Sequence, residues 1–266
     1  MLHAGSNSGA GAALALRGLA KRFPTARGEF TALEGIDLTV APGEFVSILG
    51  PSGCGKSTLL YMIGGFIPPS AGSIHTSGAP MTGPGRDRGI VFQDASLFPW
   101  LTVADNIAYG LREGGLSRAA IRDKVAAMLS LVHLDGFADF RPGQLSGGMR
   151  QRVAIARTLA YEPAILLMDE PFGALDAYTR TVLQDELLTL WDRSRKTVVF
   201  VTHGVDEAVY LSDRVVLMSR SPGRVHSEVR IDLPRPRVRS ELLRSPVYQE
   251  HVITLGEAMM RMHDDA

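Results

Sequence analysis

The residues best suited to chemistry fall into short groups, and the first is Gly50-Pro51-Ser52-Gly53-Cys54-Gly55-Lys56-Ser57-Thr58. It fits the pattern G-x-x-x-x-G-K-[ST]. Glycines let the backbone curl so that successive N–H groups point inward at phosphate oxygens. A helix starting at the loop adds its positive N-terminal end. Lys56 brings a full charge to the β- and γ-phosphates, and the Ser57 hydroxyl can ligate Mg²⁺. At about 3 Å and an effective dielectric of ~20, one such charge pair is worth roughly 5 kcal/mol before desolvation. A chain with 28 glycines produces this pattern by accident roughly once in 200 such chains. The loop therefore predicts binding and hydrolysis of a nucleoside triphosphate with magnesium. Cys54 is the sole cysteine and reads as a small loop residue, not a redox group.

Two further groups sit at the ends of apolar runs. Ile165-Leu-Leu-Met-Asp-Glu170 reads as a strand buried on both faces. Acids at its C-terminal end stand where open α/β sheets bind ligands. Asp169 suits the magnesium shell opposite Ser57. Glu170, one residue on, points elsewhere and can polarise an attacking water. Thr197-Val-Val-Phe-Val-Thr-His203 repeats the design. His203 is either a structural residue at a strand end or a group that holds the γ-phosphate through a ring N–H.

Positioning these groups requires a parallel sheet. Leu14–Phe23 and Phe30–Val40 alternate apolar and polar residues and predict a strand hairpin. Glu44–Leu49 predicts a short strand running straight into Gly50, with a helix from Lys56 to Ile63. Gly72–Ser77, Gly89–Phe92, Ile165–Met168, Thr197–Val201 and Val215–Ser219 predict further strands. Helical periodicity marks Val103–Leu111, Arg118–Val132, Gly147–Tyr161, Tyr178–Arg195 and Val205–Leu211. Strands alternating with helices imply a parallel sheet covered on its faces. The helical middle, about 97–160, reads as an insertion into that sheet. From Pro234 the chain turns Pro- and Arg-rich, then helical over Val247–Met262, so 234–266 is expected to be a tail with a peripheral helix.

Composition narrows the classes. At 266 residues with 45% hydrophobic and 21% charged content, the chain can bury a sizeable core. Twenty-eight basic and 28 acidic residues cancel, which argues against a nucleic-acid partner held by bulk charge. One cysteine excludes an internal disulfide and fits a reducing compartment. No apolar run of about 18 residues occurs, so work at a membrane would need a partner. Residues 1–13 lack a basic n-region and read as a disordered leader.

Leu145-Ser-Gly-Gly-Met-Arg-Gln-Arg152 narrows the choice among P-loop enzymes. Ser146, Gly147 and Gly148 open a helix and so form a second anion-binding N-terminus. This segment resembles the signature motif of the ATP-binding-cassette (ABC) ATPases. The resemblance spans Leu14 to Leu233 and implies a P-loop NTPase core of α/β class, with an antiparallel β subdomain and an inserted α-helical subdomain. It implies ATP and Mg²⁺ as ligands. It also implies a dimer in which the loop of one copy and the signature of the other enclose one ATP. Gln93 resembles the lid glutamine that senses metal and attacking water. Ala174-Leu-Asp176 resembles the loop that contacts the opposite subunit, and His203 takes the switch-histidine role. Phe23 stands where the family stacks an aromatic on adenine. Phe replaces the usual Tyr there, and a core Phe is the rival reading. Gly204 follows His203 where Asp is more common, a departure that bears on local capping.

Gly83-Pro-Gly85, Arg88–Gln93, Leu97-Phe-Pro-Trp100, Phe172–Ala177 and Ser221-Pro-Gly-Arg224 resemble the nitrate/sulfonate/taurine importer ATPases. That resemblance implies an importer subunit at the cytoplasmic face of the inner membrane. Its implied partners are two transmembrane permease subunits and, indirectly, a solute-binding protein. Phe98 and Trp100 are either a docking patch for the membrane subunit or core of the helical insertion. The rival functions are a soluble ABC ATPase not coupled to transport and a P-loop kinase, which has no use for the signature motif.

Overall fold

The computed structural model describes residues 11–26, 28–220 and 222–264. β1 (Leu14–Thr25) and β2 (Gly28–Val40) form the antiparallel hairpin, with Leu14 opposite Val40 and Phe23 opposite Phe30. β3 (Phe45–Leu49) leaves that hairpin for a second sheet, and α1 (Lys56–Gly64) follows it. β4 (Ala71–Thr76) and β5 (Ala79–Pro80) return to complete a first sheet of order β2-β1-β4-β5. β6 (Arg88–Val91) then joins the second sheet.

Three helices separate β6 from the next strand. They are α2 (Val103–Arg112), α3 (Arg118–Leu131) and α4 (Gly147–Ala160). β7 (Ile165–Asp169), α5 (Ala177–Ser194), β8 (Thr197–Thr202), α6 (Val205–Leu211) and β9 (Arg214–Ser219) then alternate. β10 (Arg224–Arg230) adds an antiparallel edge, giving a second sheet of order β10-β9-β3-β8-β7-β6. Its other pairings are parallel. The sequence reading has no strand after Ser219. Only Val225 and Val229 are apolar in β10, because an edge strand with alternate residues exposed needs little hydrophobic content.

The central strands are buried on both faces, and period-two alternation divides their side chains between two cores. Ile165 and Leu167 of β7, Val199 and Val201 of β8, and Val46 and Ile48 of β3 enter a core that also holds Leu59, Leu60, Met62 and Ile63 of α1 and the inward face of the first sheet. Leu166 and Met168, Val198 and Phe200, and Phe45 and Leu49 enter the other core, with α2 to α6. The helix after the glycine loop is thus wedged between the two sheets, which fixes the loop's orientation.

The first and last described segments are tied more closely than composition suggests. Of the expected leader 1–13, residues 1–10 lie outside the described ones. Residues 11–13 are anchored: Gly11 N–H donates to Arg195 O at 3.1 Å, Thr197 Oγ1 donates to Ala12 O at 2.7 Å, and Ser77 N–H donates to Ala13 O at 2.8 Å. The leader reading is corrected there, since backbone bonds to the β-rich body hold what composition alone marks as loose. In the tail, α7 (Arg239–Leu242) and α8 (Pro246–Asp264) follow the Pro/Arg segment. Tyr248, Leu255 and Met262 of α8 are buried in the helical-side core. Arg237 is buried and caps the end of α6, donating to Val209 O, Tyr210 O and Ser212 O at 3.0, 2.7 and 2.8 Å. Burial lowers its guanidinium to about 10, with Arg235 adding to the shift. No helix among the described residues is long and apolar enough to cross a membrane.

Candidate functional site

The glycine loop leaves β3 and enters α1 at Gly55, whose φ of +93° is the left-handed region that favours glycine. A Cβ there would lie 2.6 Å from Leu33 Cδ2. Helices α2, α3, α4 and α5 are each capped by a side chain, from Thr102, Ser117, Ser146 and Asp176. α1 has no side-chain cap, so its first amides remain available to an anion. Lys56 is buried and its Nζ donates to Gly50 O at 2.7 Å and Pro51 O at 3.0 Å. Its Nζ also lies 3.9 Å from Cys54 Sγ. Cys54 itself is buried, and burial pushes its thiol up. This is the environment of an inert structural thiol.

Asp169 ends β7 directly beneath Ser57. Ser57 Oγ donates to Asp169 Oδ1 at 2.9 Å, while the buried Oδ2 has no hydrogen-bond partner. Burial raises the Asp169 carboxyl, and the Ser57 hydroxyl partly offsets this. Tyr61 lies beside it, its hydroxyl pushed up to about 12 by burial and by that carboxylate. An orphaned buried carboxylate oxygen next to a hydroxyl fits a hard divalent cation.

Glu170 turns away from the strand axis. Its φ is +45°, a conformation that costs a non-glycine residue about 1 kcal/mol or more. The bend is held by Glu170 N–H to Val201 O at 3.0 Å and Gly173 N–H to Glu170 O at 3.1 Å. It brings Glu170 Oε2 to 3.2 Å from Nδ1 of His203, whose side chain is 66% exposed. Gln93 follows β6. The preceding Phe92 is wedged between the rings of Tyr61 and Phe66, and its carbonyl accepts from Gln151 of α4.

Most of the expected site residues share one cleft of about 510 Å³, which Asp169 and Cys54 do not line. Phe23, Ser52, Gly53, Gly55, Lys56, Ser57, Thr58, Gln93, Glu170 and His203 line it. Phe23 is half-buried and outside both apolar cores. Lys21 Nζ lies 5.0 Å from its ring centroid. Phe30 and Ala32 also line the cleft and were missed in the sequence. The signal was the hairpin register, which sets Phe30 directly across from Phe23.

Ser146, Gly147, Gly148 and Asp176 do not line that cleft. Ser146 Oγ caps its own helix by accepting from Met149 N–H at 3.2 Å. Gly148 packs against the loop carrying Asp176, where a Cβ would lie 3.3 Å from Leu175 Cδ2. Asp176 accepts from Thr179 N–H at 2.9 Å, which holds its carboxyl below the usual range. The chain therefore does not bring the signature segment to its own glycine loop. Among the motifs, Ser221 lies outside the described residues. Gly204 supplies no side-chain cap to α6, and its N–H donates to Thr202 Oγ1 at 2.9 Å instead.

Residues 33–173 match the sequence model of the ABC transporter family. The match stops before Asp176 and His203; of those two, His203 lines the cleft and Asp176 does not. The taurine import ATP-binding protein of Burkholderia thailandensis is 47% identical over 243 residues, 90% of this chain and 94% of that one. The nitrate import ATP-binding protein of Synechococcus elongatus is 47% identical over 233 residues, 86% of this chain and 85% of that one. Among solved structures, the ATP-binding cassette MJ0796, in a dimeric post-hydrolysis state bound to ADP and Pi, superposes with a TM-score of 0.76 at 34% identity. That alignment covers 83% of this chain and all of the other.

Proposed function

The chain belongs to the ABC transporter family, and from that membership we propose that it is the ATP-hydrolysing subunit of a bacterial importer for a sulfonate, taurine, nitrate or a related small solute. One observation carries the reading. Lys56, Gln93, Glu170 and His203 share a cleft, while Ser146–Gly148 and Asp176 lie apart from it. A second copy would complete each cleft with its own signature helix. The dimeric state of the similar cassette supports this arrangement.

In that enclosure Lys56 exchanges its loop carbonyls for phosphate oxygens, and the amides of Gly53 to Thr58 complete the cradle. Ser57, Asp169 Oδ2 and Gln93 would hold Mg²⁺. That ion, when bound, neutralises charge building on the phosphate oxygens. Glu170 accepts a hydrogen bond from the attacking water and draws its proton. His203 donates a ring N–H toward the γ-phosphate while its Nδ1 faces Glu170. Phe23 stacks on the adenine.

The membrane connection rests on an exposed aromatic cluster. Trp100 is 68% exposed and Tyr109 50% exposed, and the Phe98 ring lies 5.7 and 4.5 Å from theirs. Such rings serve as anchors at a protein interface, here with the permease subunits at the cytoplasmic face. A solute-binding protein would act on the outer side through those subunits. The zero net charge supports no nucleic-acid partner.

The test is Glu170→Gln. The variant is expected to bind ATP with wild-type affinity, hydrolyse it about 10²–10³-fold more slowly, and accumulate as a dimer in size-exclusion chromatography. Normal turnover by this variant would rule Glu170 out as the base.

A further inference from the structure

A second cavity, of about 260 Å³, adjoins the cleft and shares Glu170 and His203 with it. Arg180, Gln184, Thr202, Glu207 and the tail residue Arg239 also line it. From Arg239 a continuous line of hydrogen bonds runs back to the segment 202–204 that carries His203. Arg239 Nη2 donates to Gln184 Oε1 at 2.9 Å, and Gln184 Nε2 donates to Glu207 Oε1 at 2.7 Å. Thr202 Oγ1 bonds Glu207 Oε2, and Gly204 N–H donates to Thr202 Oγ1 at 2.9 Å. His203 lies between the two residues that close this last link.

We propose that Arg239 is a positioning residue for hydrolysis, acting from the tail through Gln184, Glu207 and Thr202 to set the backbone that carries His203. The proposal rests on the reading of His203 as a γ-phosphate group.

Each link dictates the next. A guanidinium has only donors, so it selects the carbonyl end of Gln184. The amide NH₂ end must then face Glu207. Without the guanidinium the Gln184 oxygen loses its donor, and only the bond to Glu207 still holds the amide. Glu207 is half-buried, and burial raises its carboxyl against the pull of its Thr202 and Gln184 bonds. A carboxylate partly withdrawn from water is held by both donors. Thr202 has one hydroxyl proton. Spending it on Glu207 turns a lone pair to the Gly204 amide. That bond fixes the amide of Gly204, the N-cap residue of α6, which has no side chain to cap the helix.

Arg239 is itself held rigidly. Its Nε and Nη2 donate to Asp185 Oδ1 at 3.0 and 2.7 Å, and its guanidinium carbon lies 3.7 Å from the Tyr210 ring centroid. Tyr210 OH donates to the same Asp185 oxygen at 2.8 Å. Nearby Arg235 anchors the tail outside the relay, pairing with Asp213 at 2.9 Å and lying over Trp191. It supplies a control.

The experiment measures MgATP hydrolysis by the full chain at one fixed concentration, with melting temperatures for every variant. Arg239→Met and Gln184→Leu should each lower kcat about fivefold with KM for MgATP unchanged. The double variant should be no slower than the slower single one. Arg235→Met should lower the melting temperature and leave kcat alone. In a His203→Ala background, Arg239→Met should have no further effect on the residual rate. Three results would overturn the relay: unchanged kcat in both relay variants, an equal kcat loss in Arg235→Met, or an Arg239→Met effect that persists undiminished without His203. A His203→Ala chain that hydrolyses like wild type overturns the histidine's role instead, and the proposal with it.

Discussion

Glu170 Oε2 lies 3.2 Å from His203 Nδ1, although the two residues follow different strands, β7 and β8. Those strands are neighbours in parallel register, with Asp169 opposite Val201. The contact follows from the positive φ at Glu170, which bends the acid across the sheet edge toward the histidine. An acid and an imidazole so placed act as a unit on whatever occupies the cleft.

Groups that act as a unit lose activity together. Glu170→Gln and His203→Ala are each expected to lower kcat by about 10²–10³-fold, and the double variant to fall no further than the worse single one. Steady-state rates of the three variants at saturating MgATP decide it. Losses that multiply would mean the residues work independently.

Asp169→Asn is expected to stabilise the nucleotide-free protein while impairing its response to magnesium. Burial raises the Asp169 carboxyl above its unfolded value. The stability linked to its protonation is therefore present below the unfolded pKa and is lost as pH rises through the folded one. Asparagine carries no such titration. In EDTA at pH 7 the variant should melt about 2–4 °C higher than wild type, for roughly 1 kcal/mol, and the gap should close near pH 4. With MgATP the order should reverse, because the wild type, with its full carboxylate, gains more binding energy from the cation than the variant does. A variant that melts lower in EDTA at neutral pH would contradict the buried-charge account.

Phe30→Ala should weaken ATP binding about fivefold, as Phe23→Ala should, since base–aromatic stacking is worth about 1–3 kcal/mol and Phe30 is 53% exposed. Binding by isothermal titration is the readout. A Phe30 variant with unaltered affinity would leave Phe23 as the sole base contact.

Much of this site was open to inspection in the residues themselves. The phosphate loop must contain glycine where the backbone takes positive φ, as at Gly53 and Gly55, so its chemistry is written in its spelling. The strands ending at Asp169 and Thr202 read as unbroken apolar runs because both of their faces are buried. Other parts had no local signature. The bend at Glu170 is imposed by bonds to Val201 and Gly173, not by residue type. Phe30 became part of the cleft only through hairpin register. Arg239 and Gln184 are 55 positions apart, and no spacing rule joins a Pro/Arg tail to the middle of a long helix. Residues 11–13 look loose by composition, and their order depends on acceptors and donors at Arg195, Thr197 and Ser77.

The separation of Lys56 from Ser146 has a genetic consequence on the dimeric reading. A chain defective at Lys56 and a chain defective at Ser146 each form only dead sites with their own kind. Paired with each other, they place both lesions in one site and leave the other wholly intact. Two different null alleles of this gene can thus complement, whereas two alleles damaged in the same loop cannot. The pattern of rescue among alleles is a map, drawn without coordinates, of which residues of one copy face which residues of the next.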